Sequence, residues 1–230
     1  KILGIETSNK YLGLAIVEDG RLLAEYSLDT GRQHASLLVP YIDRILKDTG
    51  LVLDQIDGFS ISLGPGSFTG LRIGLATVKG LALPDNKPIV GVPTLDVISA
   101  NIIDPAQPVC VIVDAKRNQL YWAKYKYSPK GLKNTTGYNL SPVADVLKSI
   151  KTKTIITGDG IAAFGRLIIK EKPKLAVLSL EELWYPRGLM TAKLGYQRLI
   201  AGQKDDVDAL EPMYLYSRDC SIRKNPKTKE

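Results

Sequence analysis

A single histidine, His34, occurs among 230 residues, and this removes much of the chemistry that a sequence can carry. Metal sites built on two imidazoles are excluded. A Ser-His-Asp triad would have to use His34 together with a nucleophile and an acid that spacing does not bring to it. Cys110 and Cys220 offer neither a metal-binding spacing nor a disulfide framework, which fits a reducing cytoplasm. Three polar segments remain. Gly64-Pro65-Gly66-Ser67-Phe68-Thr69-Gly70 follows an apolar run and opens a helical one. Such a turn can present backbone N–H groups to an anion, or it can be a tight strand-to-helix joint. It is not a P-loop, because GxxxxGK[ST] is absent. Glu6-Thr7-Ser8 is either a turn that touches a nucleotide phosphate or an ordinary hairpin turn. Asp114-Ala115-Lys116-Arg117-Asn118 sets two cations beside a carboxylate, for phosphate or simply for water. Glu6, Thr7, Ser8, Lys116 and Arg117 are thus the nucleotide-facing candidates.

The elements that must position these residues can be read from periodicity. Residues 1–7, 11–18 and 21–27 read as three antiparallel strands, with Asp19-Gly20 as a hairpin signal. Residues 34–49 read as a helix stopped by Gly50, 56–63 as a strand, 71–83 as a helix, 88–92 as a strand, and 94–103 as a helix capped by Thr94. Asp104-Pro105-Ala106-Gln107-Pro108 is the natural boundary. Strands at 109–114 and 120–127 then repeat the opening hairpin. They are followed by helices at 141–150, 161–170 and 189–201 and a strand at 153–157. The duplication lies in element order, not residue identity. It implies an α/β protein of two lobes facing across a cleft: 1–103 and 104–205, with the segment about 206–220 packing back on the first.

Two helices are apolar on too many sides. On 34–49 the apolar residues, including Leu37, Tyr41 and Ile45, spread over roughly 200°, where a surface helix needs a stripe of about 100°. On 71–83, Gly70, Gly74 and Thr77 form a small-residue ridge that permits close backbone approach, flanked by Leu71 and Val78. Each helix is expected to pack on both sides, against its own sheet and against a second helix or another chain. The net charge is +7, much of it in Arg223, Lys224, Lys227 and Lys229. That tail is a solvated terminus or a weak contact to RNA phosphates. The longest apolar runs fall far short of the ~20 residues that cross a bilayer, and the opening strand leaves no signal peptide ahead of the fold.

In this order the segments Ile2–Ser8, Arg32–Leu38, Gly64–Gly74, Lys79–Ala82, Gly91–Asp96, Asp114–Arg117, Tyr121–Ala123, Gly158–Gly160 and Glu211–Leu215 resemble the TsaB (YeaZ) family. The stretch GPGSFTGLRIG is the most specific of them. The resemblance implies a two-lobed actin-like, Hsp70-like (ASKHA) fold and a cytoplasmic, non-catalytic subunit. This subunit pairs with TsaD, its catalytic paralogue, and works with the small ATPase TsaE. The complex would transfer threonylcarbamoyl from threonylcarbamoyl-adenylate to N6 of the adenosine beside the tRNA anticodon. The resemblance puts the partner surface on helices 34–49 and 71–83, around Leu37, Tyr41, Ile45, Phe68, Gly70, Leu71, Gly74, Thr77 and Val78; a homodimer could use the same face. It implies no metal and no cofactor of the chain's own, ATP or ADP being held at most weakly at the joint, and tRNA contact that is at most indirect. In the catalytic paralogue Glu-Thr-Ser is followed by Cys-Asp; here Asn9-Lys10 stands there. A stand-alone actin-like ATPase or small-molecule kinase, with Glu6 as its carboxylate, is the rival reading, and a protease resting on His34 a third.

Overall fold

The computed structural model describes residues 1–31, 33–128 and 131–215. Its first sheet is built from β1 (Ile2–Glu6), β2 (Tyr11–Glu18) and β3 (Arg21–Asp29), then, after helix α1 (His34–Asp48), β4 (Gly58–Ser62), and after helix α2 (Phe68–Ala82), β5 (Ile89–Val92). The spatial order is β3-β2-β1-β4-β5: an antiparallel hairpin to which two parallel strands are added. The short helix α3 (Thr94–Ser99) leads to the second sheet. This contains β6 (Val109–Asp114), β7 (Gln119–Ser128), β8 (Gly131–Asn134), β9 (Asn139–Pro142), then helix α4 (Val143–Ser149), β10 (Thr154–Thr157), helix α5 (Gly160–Glu171), β11 (Ala176–Leu178) and helix α6 (Gly188–Ile200). Its order, β11-β10-β6-β7-β8 with β9 also on β7, repeats the first sheet's plan. The duplication expected from element order is therefore topological.

Most boundaries fall within two residues of the expected ones. Two helices differ by more, and three strands are additional. Helix α2 begins at Phe68, because Ser67 Oγ caps it by accepting from Gly70 N at 3.2 Å. Helix α3 stops at Ser99, and its cap residue is Pro93, so Thr94 is inside the helix and its hydroxyl is left without a partner. Strands β8, β9 and β11 have only three or four residues each, too few for an alternation to stand out in the sequence.

The largest departure concerns α6. Sequence order put it in the second lobe, but it packs on the first sheet, against β1, β2, β4 and β5. The first sheet is thereby buried on both faces. Leu3, Ile5, Leu12 and Leu14 face α1 and α2, while Ile2, Ala15 and Val17 face Leu189 and Ala192 of α6. Close approach is possible because Gly4 and Gly13 carry no side chain: a methyl on Gly4 would lie about 2.6 Å from the Ala192 Cβ. Ser60 Oγ, donating to Thr191 O at 2.7 Å, pins the same contact. The second sheet is covered by α4 and α5 on one face and by α3 on the other. The chain after α6 also returns to the first lobe. Leu210 enters its core, Met213 N donates to Leu63 O at 2.7 Å, and the Tyr214 ring stacks at 5.5 Å on Phe68. Leu215 instead joins the second-lobe cluster that contains Ala115 and Tyr121.

Candidate functional site

A cleft of about 890 Å³ separates the lobes. Its walls are the β1–β2 turn (Ser8, Asn9, Lys10), the loop opening α2 (Pro65 to Gly70), Thr94, the β6–β7 turn (Asp114, Ala115, Lys116), Asp159 and Tyr185. Both polar turns singled out in the sequence thus meet across one space, as does the glycine loop.

Only part of the nucleotide-facing set reaches that space. Glu6 and Thr7 are fully buried, and Ser8 is the first residue of the turn to line the cleft. The reason is the glycine loop. Ser67 N donates to Ser8 O at 2.6 Å, and the α carbons of Gly66 and Gly70 lie against the carbonyls of Ser8 and Thr7. The loop therefore occupies the approach to the β1–β2 turn. Lys116 lines the cleft, but its ammonium is held by Asp114 Oδ2 at 2.6 Å. Burial works to raise Asp114, yet that ammonium and the Lys116 N–H outweigh it and hold its carboxyl below the usual range. Asp159 is pushed up, first by burial and also by the charge of Asp114, against the donation from Asp114 N. Arg117 is exposed and forms no ion pair among the described residues. Lys116, Arg117 and Asn118 adopt left-handed φ values of 64°, 52° and 59° in succession, a strained turn at about 1–3 kcal/mol per residue.

The first turn is poorly suited to catalysis. Ser8 N donates to Glu6 Oε1 at 2.6 Å, while Glu6 Oε2 has no partner. Burial pushes the Glu6 carboxyl up, and nearby Ser8, Ser62 and Thr191 only temper the rise. In the window above the ordinary carboxylate value the folded chain holds a proton that the unfolded chain releases, so stability falls as pH rises through it. Glu6→Gln is accordingly expected to raise Tm at about pH 7.5 and to leave Tm nearly unchanged at about pH 4. Equal melting of the two proteins at neutral pH would refute this. The Lys10 ammonium lies 4.8 Å from the Tyr11 ring centre and 5.4 Å from that of Tyr185. Among the described residues no group of three His, Cys, Asp or Glu side chains could hold a metal ion. His34 is buried, with Nδ1 at 3.3 Å from Thr30 Oγ1 and Nε2 at 3.4 Å from Tyr11 O. Thr30 Oγ1 itself donates to Lys10 O, so His34 is a packed residue at the start of α1. The buried Cys110 thiol is pushed up to about 12 by burial. Cys220 and the basic tail lie outside the described residues, as does Arg32.

The helix pair gives the clearer signal, with a correction. Ile45, Gly70, Leu71, Gly74 and Val78, expected on a partner surface, are buried inside this chain. The ridge of Gly70 and Gly74 faces the β1–β2 turn: a Cβ on Gly74 would run into Thr7 Oγ1 and approach Ile61. Part of the surplus apolar arc is spent between α1 and α2, which pack on each other. Leu37, Tyr41 and Thr77 are half-buried and Phe68 is 54% exposed. What sequence reasoning missed is the opposite stripe of α2: Thr69, Ile73, Ala76 and Gly80, spaced by three, four and seven, reach solvent. A Cβ on Gly80 would meet nothing within 4 Å. The conformation of Gly80 does not need glycine, since its φ is not positive. An exposed glycine in a helix interior costs about 1 kcal/mol relative to alanine, an upper figure for Gly80 in the last turn of α2. Val39 of α1, 54% exposed, and Leu83, 75% exposed, extend the apolar surface. At one end Arg72 stacks 4.0 Å over Phe68 and its Nε donates to Tyr214 Oη at 3.1 Å.

Two lobes that repeat one sheet plan around a cleft define a protein of the actin-like (ASKHA) class. The dehydratase activator of Clostridium difficile shares that fold at a TM-score of 0.52 with 9% identity, over 87% of this chain and 96% of its own. The chain belongs to the family described as "TsaD: tRNA N6-adenosine threonylcarbamoyltransferase", which matches residues 27–195. Within it, similarity over nearly the full length is to TsaB proteins. The tRNA threonylcarbamoyladenosine biosynthesis protein TsaB of Escherichia coli is 29% identical over 94% of this chain and 94% of its own length. A Pseudomonas aeruginosa structure described as similar to YeaZ superposes with a TM-score of 0.81 at 24% identity, covering 94% of this chain and 99% of that one.

Proposed function

We propose that this protein serves tRNA threonylcarbamoyladenosine biosynthesis as a non-catalytic subunit that binds and activates a TsaD-type catalytic partner. The observation that carries the reading is the solvent-facing stripe of α2 that runs from Thr69 to Gly80: a helix face that loses its bulk at Ala76 and Gly80, in a helix already packed on its other side. Small residues let a second helix approach closely, with Phe68 and Thr77 on the same helix and Val39 and Leu37 on α1 adding apolar surface; Tyr41, edge-on to Tyr26 of β3, lies at the outer margin. The TsaB names of its relatives support the pathway. The partner carries out transfer of threonylcarbamoyl from the adenylate to N6 of adenosine, with TsaE as third member. The present chain contributes positioning in the cytoplasm. Among the described residues no helix is long and apolar enough to cross a membrane. ATP or ADP belongs at the joint with the partner, since the glycine loop fills the approach to the chain's own first turn. In the partner's absence two copies pair through the same face.

The test is to mix the purified chain with its TsaD-type paralogue and measure mass in solution. A one-to-one complex, with transfer activity that needs both chains, is expected. Two separate species at micromolar concentration would refute the reading. The rival, a stand-alone ATPase using Glu6, predicts ATP turnover by the isolated chain that Glu6→Gln abolishes; its buried and half-unpartnered carboxylate argues against this.

A further inference from the structure

We infer that a cavity between α3, α6 and strands β7 and β8 binds a small molecule that joins an aromatic or branched apolar body to a carboxylate, with Lys193 receiving the carboxylate. The cavity holds about 360 Å³, within the range of about 300–1,000 Å³ usual for small-ligand sites. Helix α3 stands between it and the inter-lobe cleft: Thr94 and Ile98 line the cleft, whereas Asp96 and Ser99 line the second space. Its apolar wall comes from Ile102, Ile103, Tyr125, Leu132, Met190 and Leu194. Ile103, 78% exposed, and Tyr127, 48% exposed, leave apolar surface open at its mouth. The polar groups of the wall differ in what they already hold. Both Asp96 carboxylate oxygens accept hydrogen bonds, one from Tyr125 Oη at 2.7 Å and the other from Tyr138 Oη at 2.8 Å. Burial pushes that carboxyl up, against the two tyrosines and Arg198, which lessens its repulsion of an anion. Asp104 is engaged by the Tyr127 hydroxyl. Lys193 is uncommitted. It is half-buried on α6, next to Ala192, which packs on the first sheet, and its ammonium forms no ion pair or hydrogen bond among the described residues. A charge drawn out of water is normally paired, and an anion in the cavity would supply that partner. The bound molecule would touch α6 on the first lobe and β7 and β8 on the second, and so hold the lobes at their present angle.

The probe is 2-naphthoate, titrated into the full chain and followed by the NMR shifts of the backbone amides, with naphthalene-2-carboxamide as its uncharged counterpart. The ligand efficiency usual for drug-sized molecules puts the Kd of the acid at about 1 mM. Saturable binding is expected, with the moved amides clustered on α3 and the residues just after it, on β7 and on α6. Lys193→Gln keeps the length of the side chain and removes its charge. It should weaken binding of the acid by about tenfold, the scale of one charge-assisted hydrogen bond. The carboxamide should bind the unaltered chain about tenfold more weakly than the acid, and Lys193→Gln should leave its affinity unchanged. Ile103→Asp, at an exposed position, sets a like charge at the mouth and should weaken the acid more than the amide. No saturation by about 10 mM, moved amides clustered elsewhere, or equal affinities of acid and amide would each overturn the inference. So would a folded Lys193→Gln chain that binds the acid unchanged. If Lys193→Gln fails to fold, the acid–amide comparison on the unaltered chain and the Ile103→Asp titration decide the matter by the same outcomes.

Discussion

Gly80→Arg is expected to leave the fold intact or slightly firmer and to abolish association with the paralogue. Residue 80 sits in the last turn of α2 with open space where a side chain would grow. Replacing glycine by a good helix former should recover up to about 1 kcal/mol of helix propensity. In the complex the same side chain would stand in the closest part of the interface and bring a charge that must be desolvated without a partner. Loss of binding by at least about 100-fold, equivalent to about 2.7 kcal/mol, is the expected scale. Thermal melting and solution mass read the two effects separately. A variant that melts higher and still forms the full complex would move the partner surface elsewhere. Gly80→Ala serves as the control: its single methyl should stabilise the chain and weaken association far less.

Gly70→Val should behave in the opposite way. Its Cβ would be driven into the carbonyl oxygen of Thr7, a backbone atom of the turn between β1 and β2 that has no freedom to move aside. Overpacking of this kind costs about 1–3 kcal/mol and sometimes more, and here it strikes the joint between a central strand and a central helix. We expect a loss of at least about 3 kcal/mol, seen as a lower urea midpoint in the isolated chain. Complex formation should fall only as far as unfolding requires. A soluble Gly70→Val protein with unaltered stability and no partner binding would restore Gly70 to the interface. The contrast between positions 70 and 80 separates glycines that admit the chain's own turn from one left open to another molecule.

That contrast also marks the limit of what was legible in the sequence. The excess apolar arc of α1 and α2 was visible, because helical periodicity reports how many faces are covered. It does not report which face meets which neighbour. Gly70 and Gly74 therefore read as a ridge for a partner helix, whereas they make room for Thr7, more than sixty positions earlier in the chain. Gly80 carries no periodic signal of its own, since only the placed backbone shows that nothing lies over it. Both sheets were legible from their hairpins, because strands such as β2 and β6 are long and apolar. Of the candidate site, the meeting of the two polar turns and the glycine loop at one cleft follows the repeated element order, which put each of them at the same end of its sheet. The burial of Glu6 and Thr7 was not legible, since it depends on the loop at 64–70 lying across a turn remote from it in sequence. The position of α6 was hidden for the same reason.

The placement of α6 has a consequence for the order in which the molecule can be made. The second sheet with α4 and α5 is assembled from one continuous stretch, residues 109–178. The first sheet, although synthesised earlier, lacks the cover of one entire face until residues 188–200 arrive. A nascent chain that has emerged only to residue 187 carries Ile2, Ala15, Val17 and the glycine-lined groove of β1 and β2 open to water. Domains generally fold from the N-terminal end as they leave the ribosome. Here the later-made lobe can close first, and the earlier one waits for α6.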